Sequence, residues 1–152
     1  MRYPNHTKEP SDHLQVFEQA CKSAGLKITH QRTEVFKELA KADDHPSAEI
    51  IYSRLKKKLP TLSIDTVYRT LSTLEKQGLI SKVQTVESQA RYEFNNEHHH
   101  HLICDNCHEI IDFDWQAFDD YPLPKELSNW GHIKEKKAIL HGLCHKCSEK
   151  KG

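Results

Sequence analysis

The sequence predicts an α+β protein in which an N-terminal winged helix precedes a small β-rich unit that binds zinc. Two observations support this prediction. Four segments with the apolar spacing of helices come before two short alternating segments that fit a β-hairpin, and two Cys-x-x-Cys pairs occupy the last third of the chain. The length of 152 residues allows one ordinary domain or two small ones, so length alone leaves the number of domains open.

The first helix is expected from about Ser11 to Ala24. Apolar residues recur there at helical spacing, and Gly25 follows as a C-terminal stop. Cys21 falls on the apolar face of this helix, so it is expected to be a small buried hydrophobic residue.

Three further helices are expected, each beginning after a side chain that can accept a hydrogen bond from the first helical turn. These N-caps are Thr29, Ser47 and Ser63. Pro60 is expected to end the third helix and Gly78 the fourth. The buried stripe of the fourth helix is predicted to consist of Val67, Leu71 and Leu74.

The two alternating segments run from Leu79 to Val86 and from Ala90 to Phe94, and a polar turn separates them. Short helices joined by tight turns and followed by a hairpin form a winged helix. The fourth helix would enter the major groove, where Arg69 can donate to a guanine edge or a phosphate and Tyr68 can pack on a thymine methyl. Candidate phosphate contacts are Lys27, Arg32 and Arg91, whereas Lys56, Lys57 and Lys58 are interpreted as solvated surface charges.

Charge and cysteine usage limit the class of protein. Residues 1–89 carry 14 Lys and Arg against 11 Asp and Glu, and residues 90–152 carry 8 against 11. This weak asymmetry is compatible with a basic N-terminal part that faces DNA and an acidic C-terminal part that binds a ligand. No apolar run is long enough for a membrane span and no signal-peptide layout is visible, so a cytoplasmic protein without membrane contact is expected.

Four of the five cysteines form two tight pairs, Cys104 with Cys107 and Cys144 with Cys147. In a reducing compartment such pairs favour metal over disulfides. Four thiolates make a closed tetrahedral Zn(II) site, which would stabilise a domain that is too small to hold itself together. A redox function for the pairs is the alternative, and it needs a separate explanation for each pair.

Four consecutive histidines precede the first cysteine pair. In a strand alternate residues share a face, so His99 pairs with His101 and His98 with His100, and only one pair is expected to face the interior. The segment containing Asp112 is expected to pair with this strand across the Cys107 turn. Two imidazoles with nearby carboxylates, including Glu93 on the preceding strand, suit Fe(II), Mn(II) or Zn(II), and an exposed patch of weak metal affinity is the alternative.

From about Ser11 to Cys147 the chain resembles the ferric uptake regulator family of metal-dependent transcriptional repressors. The resemblance rests on "HPSAEIIYSRLKKKLPTLSIDTVYRTLSTLEKQGLI", "RYEF", "HHHHLICDNC", "IIDF" and "GLCHKC", which recur in order. It implies a homodimer that binds AT-rich inverted repeats of double-stranded DNA. It also implies a winged-helix domain at 1–88, the wing end and hinge at 89–95, and a metal-binding α/β dimerisation domain at 96–152.

The resemblance also implies a regulatory site for Fe(II) or Mn(II), separate from the structural zinc. The segment "DHPSAEIIY" matches the place of the family's N-terminal ligand, which makes His45 the missing donor. Its ligands would be His45, Glu93, His99, His101 and Asp112. A weak second site is a further candidate at His98, His100 and Asp119, although Lys136 stands where some members have a histidine.

Within the family, aspartate at the Asp112 position is typical of peroxide-sensing repressors, and glutamate of iron-responsive ones. The favoured function is therefore a repressor in which Fe(II) and hydrogen peroxide oxidise a ligand histidine, His45 or His99. Glu93 stands where peroxide sensors often have aspartate, so an iron-responsive repressor, or one responsive to another divalent metal, is the alternative.

Two other classes of protein fit the sequence less well. Zinc deaminases need His-x-Glu with Pro-Cys-x-x-Cys, and neither cysteine pair follows a proline. No His-Glu-x-x-His, phosphate loop or nucleophile elbow is present, so no enzyme activity is expected. A zinc-ribbon adaptor that binds proteins is the more distant alternative, and it would show no metal-dependent binding to promoter DNA.

Overall fold

The structure, a computed structural model, describes residues 10–83, 85, 89–94 and 97–150. The described chain divides into two compact units, residues 10–94 and residues 97–150. The first unit is helical with a β-hairpin, and the second is built on a three-stranded sheet. This is the α+β arrangement that the sequence predicts.

Four helices form the first unit. They are α1 (Pro10–Ala24), α2 (His30–Lys41), α3 (Ala48–Leu55) and α4 (Ile64–Lys76). The three predicted N-caps are confirmed, because each side-chain oxygen accepts from a backbone N–H in the first turn. The pairs are Thr29 with Arg32 N, Ser47 with Ile50 N, and Ser63 with Thr66 N.

Helix α3 ends at Leu55, so the expectation that Pro60 ends it is wrong by about a turn. The chain turns earlier, and Leu59 and Leu62 then join the apolar core. Helix α4 ends at Lys76, and Gly78 follows with φ of 74°. Glycine adopts this left-handed conformation at low cost, which agrees with its predicted role as a stop.

The core of the first unit lies between its four helices. The rings of Phe17 and Phe36 stack with centroids 4.9 Å apart. Cys21 is fully buried as predicted, and its burial raises the pKa of the thiol. The predicted stripe of α4 is confirmed, with full burial of Val67, Leu71 and Leu74.

Strands β1 (Ser81–Val83) and β2 (Arg91–Glu93) pair in antiparallel register to form the wing. The first strand was expected to reach Val86, but residues 84 and 86–88 lie outside the described residues. The wing is tied to the start of α3, because the N–H of Tyr92 donates to Pro46 O over 3.0 Å. Helices followed by this hairpin confirm the winged helix.

The second unit contains β3 (His100–Cys104), β4 (Ile110–Phe113) and β5 (Ile139–Gly142), in the order β4-β3-β5. Strand β3 pairs antiparallel with β4 and parallel with β5. The predicted pairing across the cysteine turn is confirmed, and it places His101 opposite Asp112.

Short helical segments complete the second unit. They are α5 (Gln116–Asp120), a 3-10 turn (Lys125–Asn129) and α6 (His145–Lys150). Pro122 and Pro124 lie two and four residues after the end of α5, and proline is unfavourable in a helix interior. None of the helices in the described part of the chain is long and apolar enough to cross a membrane.

Candidate metal centres and nucleic-acid interface

The structure brings the four predicted cysteines together. Cys104 ends β3 and Cys107 follows in the turn. Cys144 lies just before α6, and Cys147 lies in the first turn of that helix. Their four sulfur atoms all lie within 4.8 Å of one another. The Cys107 and Cys144 sulfurs are 3.7 Å apart, close to the roughly 3.8 Å between thiolates that bind one Zn(II) tetrahedrally at about 2.3 Å.

The electrostatics of the cluster also suit a divalent cation. The backbone N–H of Cys144 donates to Cys104 Sγ over 3.3 Å and is the main cause that lowers the pKa of this thiol to about 6. The Glu109 N–H lowers the pKa of Cys107, but burial and the hydrogen bonds with the other three sulfurs outweigh it and raise that pKa to about 12. Four neighbouring thiolates repel one another unless a cation lies between them, so the cluster suits a structural Zn(II) ion.

A second group of donors lies on β3 and β4. His101 Nε2 is 3.2 Å from Asp112 Oδ1 and 3.2 Å from His99 Nε2. His99 Nε2 is 3.7 Å from the same Asp112 oxygen. Donor atoms that bind one metal ion at about 2.1 Å in adjacent positions lie at about this spacing, so these three side chains can share an ion.

The tautomer of His99 suits this function. Its Nδ1 lies 2.5 Å from the Glu97 carbonyl oxygen. A carbonyl accepts only, so Nδ1 carries the proton and the Nε2 lone pair is available to a metal. Such an outer hydrogen bond fixes both the tautomer and the orientation of a ligand imidazole.

The expectation that only one pair of histidines faces the interior agrees with exposed His98 but is wrong for His100. His99 and His101 are 6% and 1% exposed, but His100 on the opposite face of β3 is 0% exposed. Strand β3 is the central strand, and the rings of Phe113 and Phe118 lie 5.6 Å and 5.2 Å from the His100 ring. These aromatic residues cover the face that was expected to be solvent-exposed.

The donor atoms of the candidate second site are engaged in hydrogen bonds. Asp119 Oδ1 lies 2.9 Å from His98 Nε2 and 2.8 Å from His100 Nε2. The backbone N–H of Ala138 donates to His100 Nδ1 over 2.9 Å. A neutral imidazole has one lone-pair nitrogen, so His100 binds a metal through Nε2 only by losing the Ala138 bond. Lys136 donates instead to Tyr121 O over 2.6 Å.

The first unit supplies two more predicted ligands. His45 Nε2 lies 2.7 Å from Glu93 Oε2, and the two side chains are 7% and 5% exposed. His45 adopts a left-handed conformation with φ of 51°, and Glu93 is the last residue of β2. A buried imidazole beside a buried carboxylate is a donor pair that suits a divalent metal.

The predicted groove-facing residues of α4 are exposed. The whole Tyr68 residue is 43% exposed and the Arg69 side chain 73%. Arg69 Nε lies 2.9 Å from Asp65 Oδ2, one turn earlier, and the Tyr68 hydroxyl donates to Glu49. Arg32, in contrast, directs Nη1 to the carbonyl of Lys27 over 2.6 Å.

The sequence interpretation missed the contacts of two basic residues. Arg91, expected to contact phosphate, donates to the backbone carbonyls of Asp44 and His45. Lys58, expected to be a solvated charge, pairs with buried Glu34. The position of Glu34, directly before the core residues Val35 and Phe36, was the only sequence signal for that pair.

A winged helix joined to a unit with a tetrathiolate centre and imidazole and carboxylate donors defines a metal-binding, DNA-binding regulator. Residues 23–129 match the Ferric uptake regulator family, and the chain belongs to it. Members of this family are metal-responsive, dimeric regulators of transcription rather than enzymes.

Relatives and solved structures agree with this assignment. The peroxide operon regulator of Bacillus subtilis is 30% identical over 132 residues, which are 87% of this chain and 91% of the relative. The ferric uptake regulator of Helicobacter pylori, described with three functional metal binding sites, is similar with a TM-score of 0.77 and 29% identity over 98% of this chain and 100% of that chain. The Campylobacter jejuni peroxide stress regulator is similar with a TM-score of 0.64 and 28% identity, over 88% of this chain and 98% of that chain.

Proposed function

We propose that the protein is a peroxide-responsive transcriptional repressor whose regulatory metal is bound by His45, Glu93, His99, His101 and Asp112. The observation that carries this proposal is the convergence of His99 Nε2, His101 Nε2 and an Asp112 oxygen within 3.2 to 3.7 Å. The His45 and Glu93 pair of the first unit supplies the remaining donors. Imidazole and carboxylate ligands suit Fe(II) and Mn(II).

The proposed ligands come from both units, which gives the metal a means to control DNA binding. We propose the domain limits 1–88 and 96–152, with the wing end and hinge at 89–95. An ion held by ligands from both domains would fix the orientation of the winged helix. In a dimer, two winged helices fixed in this way would match the two halves of an inverted repeat. The proposed target is an AT-rich inverted repeat of promoter DNA in the cytoplasm.

Fe(II), when bound by these residues, would supply the chemistry that activates hydrogen peroxide. One peroxide oxygen would then be added to an imidazole carbon of His45 or His99, and the other would leave as water. The hydrogen bond from His99 Nδ1 to Glu97 O keeps Nε2 directed at the metal before the reaction. Loss of one imidazole donor weakens metal binding, so the oxidised protein leaves its operator.

Similarity to named peroxide regulators supports this choice within the family. The alternative is an iron-responsive repressor of uptake genes. It is favoured by Glu93 at a position where peroxide sensors often have aspartate and by the likeness to the H. pylori ferric uptake regulator.

The test is peptide mass spectrometry on anaerobic Fe(II)-loaded protein before and after about one equivalent of hydrogen peroxide. An added oxygen on His45 or His99, found with Fe(II) and not with Mn(II), is the expected result. Asp112→Glu introduces the side chain typical of iron-responsive members and is the matched variant, in which oxidation should fall. An unmodified Fe(II) protein that stays on DNA after peroxide would favour the iron-responsive alternative.

A weak second metal site at His98, His100 and Asp119 remains part of the proposal. His98 and Asp119 supply two accessible donors, and the Nδ1 of His98 also contacts Glu135 over 3.1 Å. The hydrogen bond with Asp119 raises the pKa of His98. Because the Ala138 bond engages the lone pair of His100, we expect this site to bind metal more weakly than the regulatory site.

A further inference from the structure

We propose that Arg91 is a positioning residue that holds His45 in the conformation needed to bind the regulatory metal. This inference rests on the proposed function, because it concerns the His45 and Glu93 half of the same site. All the residues that carry it lie in the first unit.

The backbone of His45 needs external support. Its φ of 51° lies in the left-handed region, which residues other than glycine adopt at a cost. Pro46 follows directly, and a residue before proline favours extended conformations. The conformation persists only if surrounding contacts determine it.

Arg91 supplies those contacts. Its Nε–H donates to the carbonyl oxygen of His45, and its Nη2 donates to the carbonyl of Asp44 over 3.3 Å. A planar guanidinium can bind two adjacent carbonyls in a fixed geometry, which a lysine ammonium cannot reproduce.

The same strand carries the other metal donor. Arg91 begins β2 and Glu93 ends it, and the Tyr92 N–H bonds to Pro46 O over 3.0 Å. The segment that contains His45 is therefore attached to the strand that contains Glu93. The imidazole Nε2 lies 2.7 Å from the carboxylate, as this attachment requires.

The direction in which metal affinity changes when Arg91 is removed distinguishes a positioning effect from a purely electrostatic one. A guanidinium near a divalent cation repels it, so removal of Arg91 should raise metal affinity if charge alone mattered. If Arg91 acts by positioning His45, its removal should lower metal affinity.

The experiment measures Mn(II) affinity of the zinc-replete, full-length protein. Arg91→Met is expected to weaken Mn(II) binding about 10- to 100-fold, as for other residues that orient a metal ligand, and Arg91→Lys should recover part of the loss. Arg54→Met is the control: Arg54 pairs with the Asp44 side chain, so the same charge is lost while the bonds to the two carbonyls remain. Its affinity should stay equal or rise.

A double-mutant comparison tests whether Arg91 acts through His45. In a His45→Ala background, Arg91→Met is expected to cause no further loss, because the positioned ligand is already absent. An equal loss in both backgrounds, an unchanged or raised affinity in Arg91→Met, or an equal loss in Arg54→Met would overturn the inference. If His45→Ala alone left Mn(II) affinity unchanged, the proposed metal site would be wrong instead.

Hydrogen exchange of the apo-protein gives a second readout. The Tyr92 amide should exchange faster in Arg91→Met than in the wild type, because the bond to Pro46 O depends on the same attachment. Arg91→Lys serves for both measurements if the Met variant fails to fold. Unchanged exchange in a folded variant would contradict the positioning function.

Discussion

Lys58 Nζ lies 2.9 Å from Glu34 Oε2, and this ion pair connects α2 to the turn after α3. The Glu34 side chain is 9% exposed, whereas that of Lys58 is 65% exposed. The hydrogen bond from Lys58 is the main cause that holds the pKa of Glu34 below its usual value. A residue of the lysine run therefore neutralises a carboxylate at the edge of the core.

Glu34 should make stability depend on pH. Because its pKa is lowered in the folded state, the pair contributes stability above the unfolded pKa of about 4.3, and this contribution is lost as pH falls through the folded pKa. Glu34→Gln should therefore reduce the fall in unfolding free energy between pH 7 and pH 3, measured by urea denaturation.

Removing the lysine tests the same pair from the other side. Lys58→Met leaves a largely buried carboxylate without its main partner and should cost roughly 1–2 kcal/mol at pH 7, since the exposed ammonium limits the effect. Lys57→Met is the matched control and should change stability by less than about 0.5 kcal/mol. Equal effects of the two variants in urea denaturation would show that the pair of Lys58 with Glu34 does not contribute to the free energy of unfolding.

The zinc site should be required for the second unit to fold. Cys104→Ser removes one of four thiolates, and its thiol has a pKa lowered to about 6, so we expect loss of zinc and of the dimeric, folded second unit. Zinc content by elemental analysis and size-exclusion chromatography measure this. Cys21→Ala is the control, because Cys21 lies in the core of the first unit, and it should retain one equivalent of zinc.

The two faces of β3 should respond differently to substitution. His100 is fully buried and hydrogen-bonded at both ring nitrogens, so His100→Ala should destabilise the second unit by roughly 2–4 kcal/mol. His98 is an exposed residue, and His98→Ala should cost less than about 1 kcal/mol. Thermal unfolding of the zinc-loaded protein compares them. A small loss in His100→Ala would mean that its hydrogen bonds do not support the fold.

The sequence predicted features that depend on local chemistry. N-caps need only a hydroxyl before a helix, as at Ser47, and the zinc cluster needs only the spacing of its cysteines. Burial of His100 was missed because it depends on Phe113 at the end of β4 and Phe118 in α5. The contacts of Arg91 and Lys58 were missed because their partners lie 46 and 24 residues away, and a single sequence does not show which residues so far apart are in contact.

Asp65 and Arg69 should together determine the base preference of α4. Asp65 accepts from Arg69 Nε over 2.9 Å, which orients the guanidinium and leaves its terminal nitrogens for a guanine edge. Arg69→Ala should therefore lower affinity by about 1–3 kcal/mol for operators with that G·C pair and by less for others. Electrophoretic mobility shifts on operators changed one base pair at a time measure this.

Asp65→Ala should change DNA binding in two ways. Loss of a carboxylate near the phosphates raises non-specific affinity, while loss of the orienting bond lowers discrimination at the guanine position. Arg32→Ala is the contrast. If Arg32 contacts phosphate, its removal should lower affinity for all operators alike and reduce the slope of log affinity against log salt concentration by about one. If Arg69→Ala behaved like Arg32→Ala, both arginines would bind phosphate, and the Asp65 pair would have no function in base selection.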